Sequence, residues 1–286
     1  MILSFHPCFT AEYQIILGDR SLNSEDLLLI NKAKVIILPQ SCPYDLYQVC
    51  KTSSAYLFPN YEVRFRYPGK IGQAILFEKA GLPYPETTQW DSVEEFRNAM
   101  DRYSSYPHGV PFILKTDDSH EGEGIYIIED SESLELSLKS LSNLERSGSR
   151  RFISQELIPS GGNTLRAVIM GHKIITYWKR SQGDGEVIIT VSRGAKIDSG
   201  WRKDLQKKGR IQARKLSSTT GINLAAIDLV FPIGHHTDPG PLLLEINYYF
   251  GRRGLGGSLT YYRLLFETIK DWLRDNDLDS RSIKLV

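Results

Sequence analysis

Leu224-Ala225-Ala226-Ile227-Asp228-Leu229-Val230 and, after a short loop, Leu242-Leu243-Leu244-Glu245-Ile246-Asn247 are two aliphatic runs that each hold one carboxylate. Short apolar runs of this kind, bounded by Gly, Pro and Asp, read as buried strands. A carboxylate inside one is costly unless it is ion-paired or bound to a cation. Asp228, Glu245 and Asn247 would bring three oxygen donors to neighbouring strand ends, and Mg2+ takes protein oxygens together with phosphate and water. An ion pair to an arginine satisfies each carboxylate equally well, so both readings stand at this point.

Upstream of these runs the spacing predicts antiparallel strands over 165–170, 173–179 and 187–192, the first two joined at Gly171-His172. A polar helix is expected over 201–218; its basic stripe (Arg202, Lys203, Lys207, Lys208, Arg210, Arg214, Lys215) reads as a solvated face. A closing helix over 259–273 leads into a charged tail expected to fray. Further upstream, 112–115 and 125–128 flank an acidic, glycine-containing segment and read as a hairpin. A helix is expected over 131–144 and a strand over 151–158. Pro68-Gly69-Lys70 opens a helix that stops at Gly81, and Asp91 with Glu94 reads as the capping start of the next. Residues up to about 65 read as a small α/β unit, with strands over 2–5 and 35–38. Strands and helices mixed this way, with antiparallel runs at the centre, indicate an α+β fold rather than a doubly wound sheet.

The 286 residues carry 35 Lys+Arg against 34 Asp+Glu, a formal charge of +1, which argues against a nucleic-acid or membrane-surface role resting on positive charge. No apolar run approaches the roughly 18 residues of a membrane span, and the N-terminus shows no signal-peptide pattern. Cys8, Cys42 and Cys50 form no Cys-x-x-Cys pair, which suits a reducing compartment, and a cytoplasmic location is expected. No Walker sequence and no Gly-x-Gly-x-x-Gly after a strand is found. Lys115, at a strand end before a loop containing Gly122 and Gly124, suits a triphosphate, with the ammonium giving charge and loop amides giving donors. A polar hairpin turn has the same composition. His235-His236, in a Gly/Pro/Asp loop, reads as surface.

Over 67–257 these motifs, in order, resemble the ATP-grasp superfamily, and within it the RimK-like and glutathione-synthase-like carboxylate–amine ligases. Gly69-Lys70 with Gln73, ahead of Gly81-Leu82-Pro83, resembles the entry helix whose lysine contacts nucleotide phosphate. Phe112-Ile113-Leu114-Lys115 and the loop to Gly124 resemble the second lysine and the phosphate-covering loop. Ser154-Gln155-Glu156-Leu157-Ile158 resembles the hinge whose backbone reads adenine. Thr164-Leu165-Arg166, then Gly171 and Lys179-Arg180, resembles an Asp-x-Arg strand pair, and Asp228 with Glu245-Ile246-Asn247 resembles the metal strands.

The resemblance implies an ATP-grasp fold, two α+β lobes gripping the nucleotide behind a small N-terminal α/β domain (1–66). The ATP-grasp domain would occupy 67–286: one lobe over 67–156, a hinge near 155–158, a second lobe over 159–274 and a charged tail over 275–286. ATP would phosphorylate a small-molecule or peptide carboxylate, and an amine would displace phosphate, with Mg2+ (or Mn2+) as cofactor. Arg166 and Arg180 would be catalytic, while Lys70, Lys115, Gly122, Gly124, Gln155, Glu156, Leu157 and Ile158 would bind nucleotide. Asp228, Glu245 and Asn247 would hold metal, and Arg193, Arg252 and Arg253 would bind substrate. The chain departs from the pattern in three places. The loop is acidic (Asp117, Asp118, Glu121, Glu123), Asn163-Thr164 replaces the usual Asp, and Tyr248-Tyr249-Phe250-Gly251-Arg252-Arg253-Gly254 stands where Pro-Gly is common. Two alternatives stay in view, an ATP-grasp phosphotransferase and a non-catalytic ATP-binding module, the second favoured by the acidic loop. A homodimer is the commonest assembly for such a chain.

Overall fold

The computed structural model describes residues 1–103, 105–117, 124–149, 151–181, 194–234 and 240–286. The strand expected over 187–192, Asp118, Glu121, Gly122, Glu123, Arg193 and His235-His236 lie outside the described residues.

The chain begins β1 (Ile2–Ser4), β2 (Phe9–Thr10), β3 (Tyr13–Gln14), α1 (Ser24–Lys32), β4 (Val35–Ile37), α2 (Tyr44–Lys51), β5 (Tyr56–Phe58) and α3 (Glu62–Arg66). Strands β3, β1, β4 and β5 form a parallel sheet in that order. Asn23 caps α1 reciprocally with Asp26, each side chain accepting the other's backbone N–H at 2.9 Å. Next come α4 (Gly69–Lys79), β6 (Thr87–Trp90), α5 (Val93–Tyr103), β7 (Phe112–Thr116), β8 (Ile125–Ile128), α6 (Ser131–Arg146) and β9 (Phe152–Glu156). The order β6-β9-β7-β8 makes an antiparallel sheet packed through Trp90, Phe96, Phe112, Leu138 and Phe152. The α5 start is one residue later than the sequence suggests. Ser92 Oγ accepts the Glu95 N–H at 3.1 Å, while the Glu95 carboxylate accepts the Asp91 N–H. Ser92-x-x-Glu95 and Asp91-x-x-Glu94 share one spacing, and the sequence alone does not separate them.

The last part holds β10 (Thr164–Met170), β11 (Lys173–Arg180), β12 (Lys196–Asp198), α7 (Lys203–Thr220), β13 (Leu224–Val230), β14 (Leu242–Asn247), α8 (Gly257–Asp275) and β15 (Lys284–Leu285). Its sheet, order β12-β11-β10-β13-β14, is antiparallel throughout. Strand alternation sends Leu165, Ala167, Ala225 and Ile227 to one face, where they meet Ala213 and Leu216 of α7. Val168, Met170, Leu224 and Ala226 point the other way, onto Tyr261, Leu265 and Ile269 of α8 and onto Phe9, Ile37 and Phe58. One core therefore joins the N-terminal sheet to this one.

The charged tail does not fray. β15 pairs antiparallel with β2, the Val286 N–H donates to the Cys8 carbonyl at 3.0 Å, and Ile283 is buried. Ile283 and Leu285 alternate with the tail's charges and anchor it, a signal hidden by its overall polarity. Among the described residues no helix is long and apolar enough to cross a membrane.

Candidate active site

Helix α4 runs between the second and third sheets. β14 is an edge strand, and its outward backbone groups need partners. Gln73 supplies them: its Nε2 donates to the Ile246 carbonyl (3.0 Å) and its Oε1 accepts from the Ile246 N–H (2.7 Å). Spaced by three and four along the helix, Lys70, Gln73, Ala74 and Phe77 share one face. Together with Tyr84, Lys115, Ile153, Gln155, Leu244 and Glu245 they line a recess between the two sheets.

Lys115 projects from the end of β7 and is only 9% exposed. Its Nζ donates to Gln155 Oε1 at 2.5 Å, and Gln155 Nε2 donates in turn to Thr87 Oγ1 at 2.8 Å. Burial pushes the Lys115 ammonium down to about 8, with Lys70 adding repulsion against the attraction of Glu245. The Glu156 N–H is taken by the Glu86 carbonyl (2.9 Å), whereas Leu157 and Ile158 follow the strand half-buried. Gly124 accepts the Thr116 N–H at 2.9 Å, closing the root of the loop.

At the same root, Asp117 turns away from the recess interior. Its Oδ1 accepts the Ile71 N–H (2.9 Å), its carbonyl accepts the Lys70 N–H (3.2 Å), and Oδ2 receives Arg151 (3.1 Å). Asp117 therefore caps α4 from another strand, satisfying N–H groups that a helix start leaves open and adding charge where the helix dipole favours it. Gly69, at φ +67°, has no alternative residue, because a Cβ there would overlap the Asp117 carboxylate. Asp117→Ala is expected to cost about 1–2 kcal/mol, a fall of roughly 2–4 °C in melting temperature, and to loosen Lys70. Asp117→Asn, which keeps the acceptor, should lose less. Thermal melts of the two variants check this.

On the third sheet α8 covers one face as far as Val168 and Ala226. The next residues on that face are charged. Arg166 donates through Nε and Nη2 to the two oxygens of Asp228 (2.8 and 2.7 Å), and Lys179 Nζ donates to Oδ2 (2.9 Å). Asn247 Nδ2 approaches the same oxygen at 3.4 Å, and Glu245 lies directly across from Asp228 at a bulge in the ladder. Burial alone would raise the Asp228 carboxyl, yet the two cations hold it well below the usual carboxylate range. Burial, joined by the neighbouring Arg166, lowers Lys179 despite its partner. Tyr177 sits beside Arg166, and a Cβ on Gly254 would overlap its ring, so the loop after β14 presses directly onto this cluster.

Both readings of the carboxylates thus meet: Asp228 is ion-paired, and Glu245 and Asn247 share its sheet face. Among the described residues no group of three or more His, Cys, Asp or Glu gathers. The donor set of Glu245, Asn247 and a shared Asp228 offers oxygen, two carboxylates and a neutral amide, which fits Mg2+ or Mn2+ that retain waters and phosphate oxygens.

Arg180 lies apart from this cluster. It pairs with Asp198 (3.0 Å) and stacks over Trp201 at 4.3 Å, on the α7 side of the sheet, away from Asp228. Its neighbour Lys179 occupies the place expected for it. The signal was present: counting outward from the Gly171-His172 turn pairs Arg166 with Tyr177, and alternation then puts Lys179 on their face. Tyr177 and Asp117 were also missed. Arg252 lies over Tyr261 and Tyr262, and Arg253 is exposed at the start of a 3-10 turn, Arg253–Leu255.

Comparison with known proteins bears on the family and the fold. Probable alpha-L-glutamate ligases of Legionella pneumophila (strain Corby) and Cellvibrio japonicus (strain Ueda107) are 28% identical over 187 residues and 26% identical over 189 residues. Each match covers 65% of this chain and 57% of the relative, so the chain spans little more than half the length of these relatives. Among solved structures, a RimK domain ATP-grasp protein from Sphaerobacter thermophilus DSM 20745 aligns over 92% of this chain and 97% of its own, with TM-score 0.56 and 15% identity. D-alanine–D-alanine ligase from Bacillus anthracis aligns over 93% and 86%, with TM-score 0.60 and 13% identity. These likenesses establish the α+β ATP-grasp fold. With the RimK-like ATP-grasp domain model matching residues 69–258, two thirds of its length, the chain belongs to the RimK-like ATP-grasp family.

Proposed function

We propose that this protein is an ATP-dependent carboxylate–amine ligase that works through an acyl phosphate. The observation that carries the reading is a cationic recess (Lys70, Lys115) opening onto Glu245, beside the buried Arg166–Asp228–Lys179 cluster on the same sheet face. A carboxylate is a poor electrophile. Its oxygen attacks the γ-phosphorus of ATP, ADP departs, and the acyl phosphate forms; the amine then attacks the carbonyl, loses a proton and expels phosphate.

The residues neutralise and position charge in both steps. Lys70 and Lys115 face the phosphates, and Leu157 and Ile158 offer backbone to adenine. Arg166, oriented by Asp228 and Tyr177, points a fixed guanidinium at the transferring group, and Lys179 holds Asp228 ionised. Glu245 and Asn247, with Asp228, would hold Mg2+, which when bound screens the phosphate oxygens as a Lewis acid. L-Glutamate is the first amine to try, because the relatives are named for it. Three free thiols, Cys8, Cys42 and Cys50, support a reducing, cytoplasmic setting.

The test is product analysis with Mg-ATP, L-glutamate and a panel of acidic amino acids and peptides as carboxylates. A ligase forms ADP and free phosphate in equal amounts, only when both carboxylate and amine are present, and Glu245→Gln lowers the rate by about 100-fold or more. ADP with a stable phosphorylated product and no free phosphate would mean a phosphotransferase. Nucleotide binding with no turnover across the panel would favour the binding module.

A further inference from the structure

On the recess face of the second sheet, side chains from three neighbouring strands form a hydrogen-bonded line. Thr87 of β6 lies directly opposite Gln155 of β9. Lys115 of β7 lies diagonal to Gln155, whose direct partner on β7 is Ile113. Cross-strand partners share a side and alternate residues return to it, so all three side chains stand on one face. The Lys115 ammonium donates to Gln155 Oε1 (2.5 Å), and Gln155 Nε2 donates to Thr87 Oγ1 (2.8 Å). The Thr87 hydroxyl donates in turn to the Pro85 carbonyl (2.7 Å).

The direction of this line is fixed at both ends. An ammonium only donates and a backbone carbonyl only accepts, so one orientation of the Gln155 amide satisfies all three bonds. Reversed, the amide would set Nε2 against the ammonium, donor to donor. Thr87 can receive Nε2 because its own hydrogen goes to Pro85. Gln155 is buried, so leaving its Nε2 without an acceptor carries a desolvation cost. Backbone pairing over Thr87–Trp90 already joins β6 to β9, and the side-chain line is additional to that ladder. Among the described residues no carboxylate reaches ion-pair distance of Lys115, and Glu245 attracts it only at longer range. A neutral amide therefore fixes the ammonium without cancelling its charge, which stays available to an anion in the recess.

We propose that Thr87 is a positioning residue of the nucleotide site: through the Gln155 amide it sets where the Lys115 ammonium stands, and so how tightly that ammonium grips the phosphates. The proposal rests on the ligase reading and deepens it. Thr87 acts on the ligand only through Gln155 and Lys115.

The experiment titrates Mg-ADP calorimetrically into the native chain, Thr87→Val, Thr87→Ser, Lys115→Met and the double variant Thr87→Val with Lys115→Met. Thr87→Val keeps the shape and deletes the hydroxyl, and should weaken binding roughly 3- to 10-fold, the order of one hydrogen bond. Thr87→Ser keeps the hydroxyl and should restore native affinity. In the Lys115→Met background the valine change should have almost no effect, because no ammonium is left to position. An equal loss in both backgrounds would make Thr87 a structural residue and overturn the proposal; so would native affinity in Thr87→Val. Melts without nucleotide show which variants fold. Thr87→Ala removes the same hydroxyl and carries the same comparison where valine does not fold. Failure of both to fold would make the hydroxyl structural and overturn the proposal as well. Failure of native protein to bind Mg-ADP overturns the ligase reading, and this proposal with it.

Discussion

Asp228→Asn is expected to lower the melting temperature by roughly 5–10 °C, corresponding to about 3–5 kcal/mol. The carboxylate is 6% exposed and accepts three N–H donors from two cations, Arg166 and Lys179. Removing its charge leaves those two cations buried side by side with Glu245 as the remaining carboxylate against them, and the uncompensated charge is what makes breaking a buried pair expensive. Lys179→Met added to Asp228→Asn should recover part of the loss, so the two changes should be strongly non-additive. The pH dependence has a defined sign. Asp228 titrates lower in the folded protein than in the unfolded chain, so its contribution is complete above about pH 4, the unfolded value. It disappears as pH falls further, through the folded value. The acid side of the stability profile should therefore be flatter in Asp228→Asn than in native protein. A shift under about 2 °C, with an unchanged acid limb, would mean that the cluster does not hold the sheet together.

Lys115→Met should do the reverse: stability held or raised, nucleotide affinity lowered about 100-fold, on the order of one charge-assisted contact. Burial disfavours the ammonium, and its value near 8 lies below the ordinary 10.5. Between those values the unfolded chain binds more protons than the native state, so native stability rises with pH across that window, and the methionine variant should lack this rise. Phosphate needs the charged form. Mg-ADP affinity of native protein should fall above pH 8, approaching tenfold per unit, and the slope should vanish in Lys115→Met. Calorimetric titrations from pH 7 to 9.5 would show this; a pH-independent affinity in native protein would remove Lys115 from the phosphate site.

Much of the site was legible because chemistry in a strand is conspicuous. Asp228 and Glu245 stand out in aliphatic runs, and Lys115 ends one, so their positions follow from period-two alternation. The residues that escaped act across distance in the chain. Asp117 reads in the sequence as one acidic residue of the covering loop, but it caps a helix that begins 48 residues earlier. Nothing local to either segment announces that contact. Lys179 was passed over for Arg180 because adjacent cations look alike until the hairpin register is counted. Short strands such as Tyr56–Phe58 and Thr87–Trp90 carry too few residues for a periodic signal and exist because neighbours pair with them. The tail followed the same logic in reverse. Its charges suggested fraying, while Ile283 and Leu285 supply the burial that ties it to β2.

On the ligase reading, the recess between α4, β7 and β14 binds a magnesium nucleotide. The most direct measurement is the melting temperature with Mg2+ alone and then with Mg2+ and ADP at about 100 times the dissociation constant. The added stabilisation of about 2.7 kcal/mol corresponds to a rise of roughly 5 °C for a chain of this size. That rise should be abolished in Glu245→Ala combined with Asn247→Ala, and reduced in Lys115→Met. No rise at any ADP concentration in native protein would mean that the recess is not a nucleotide site.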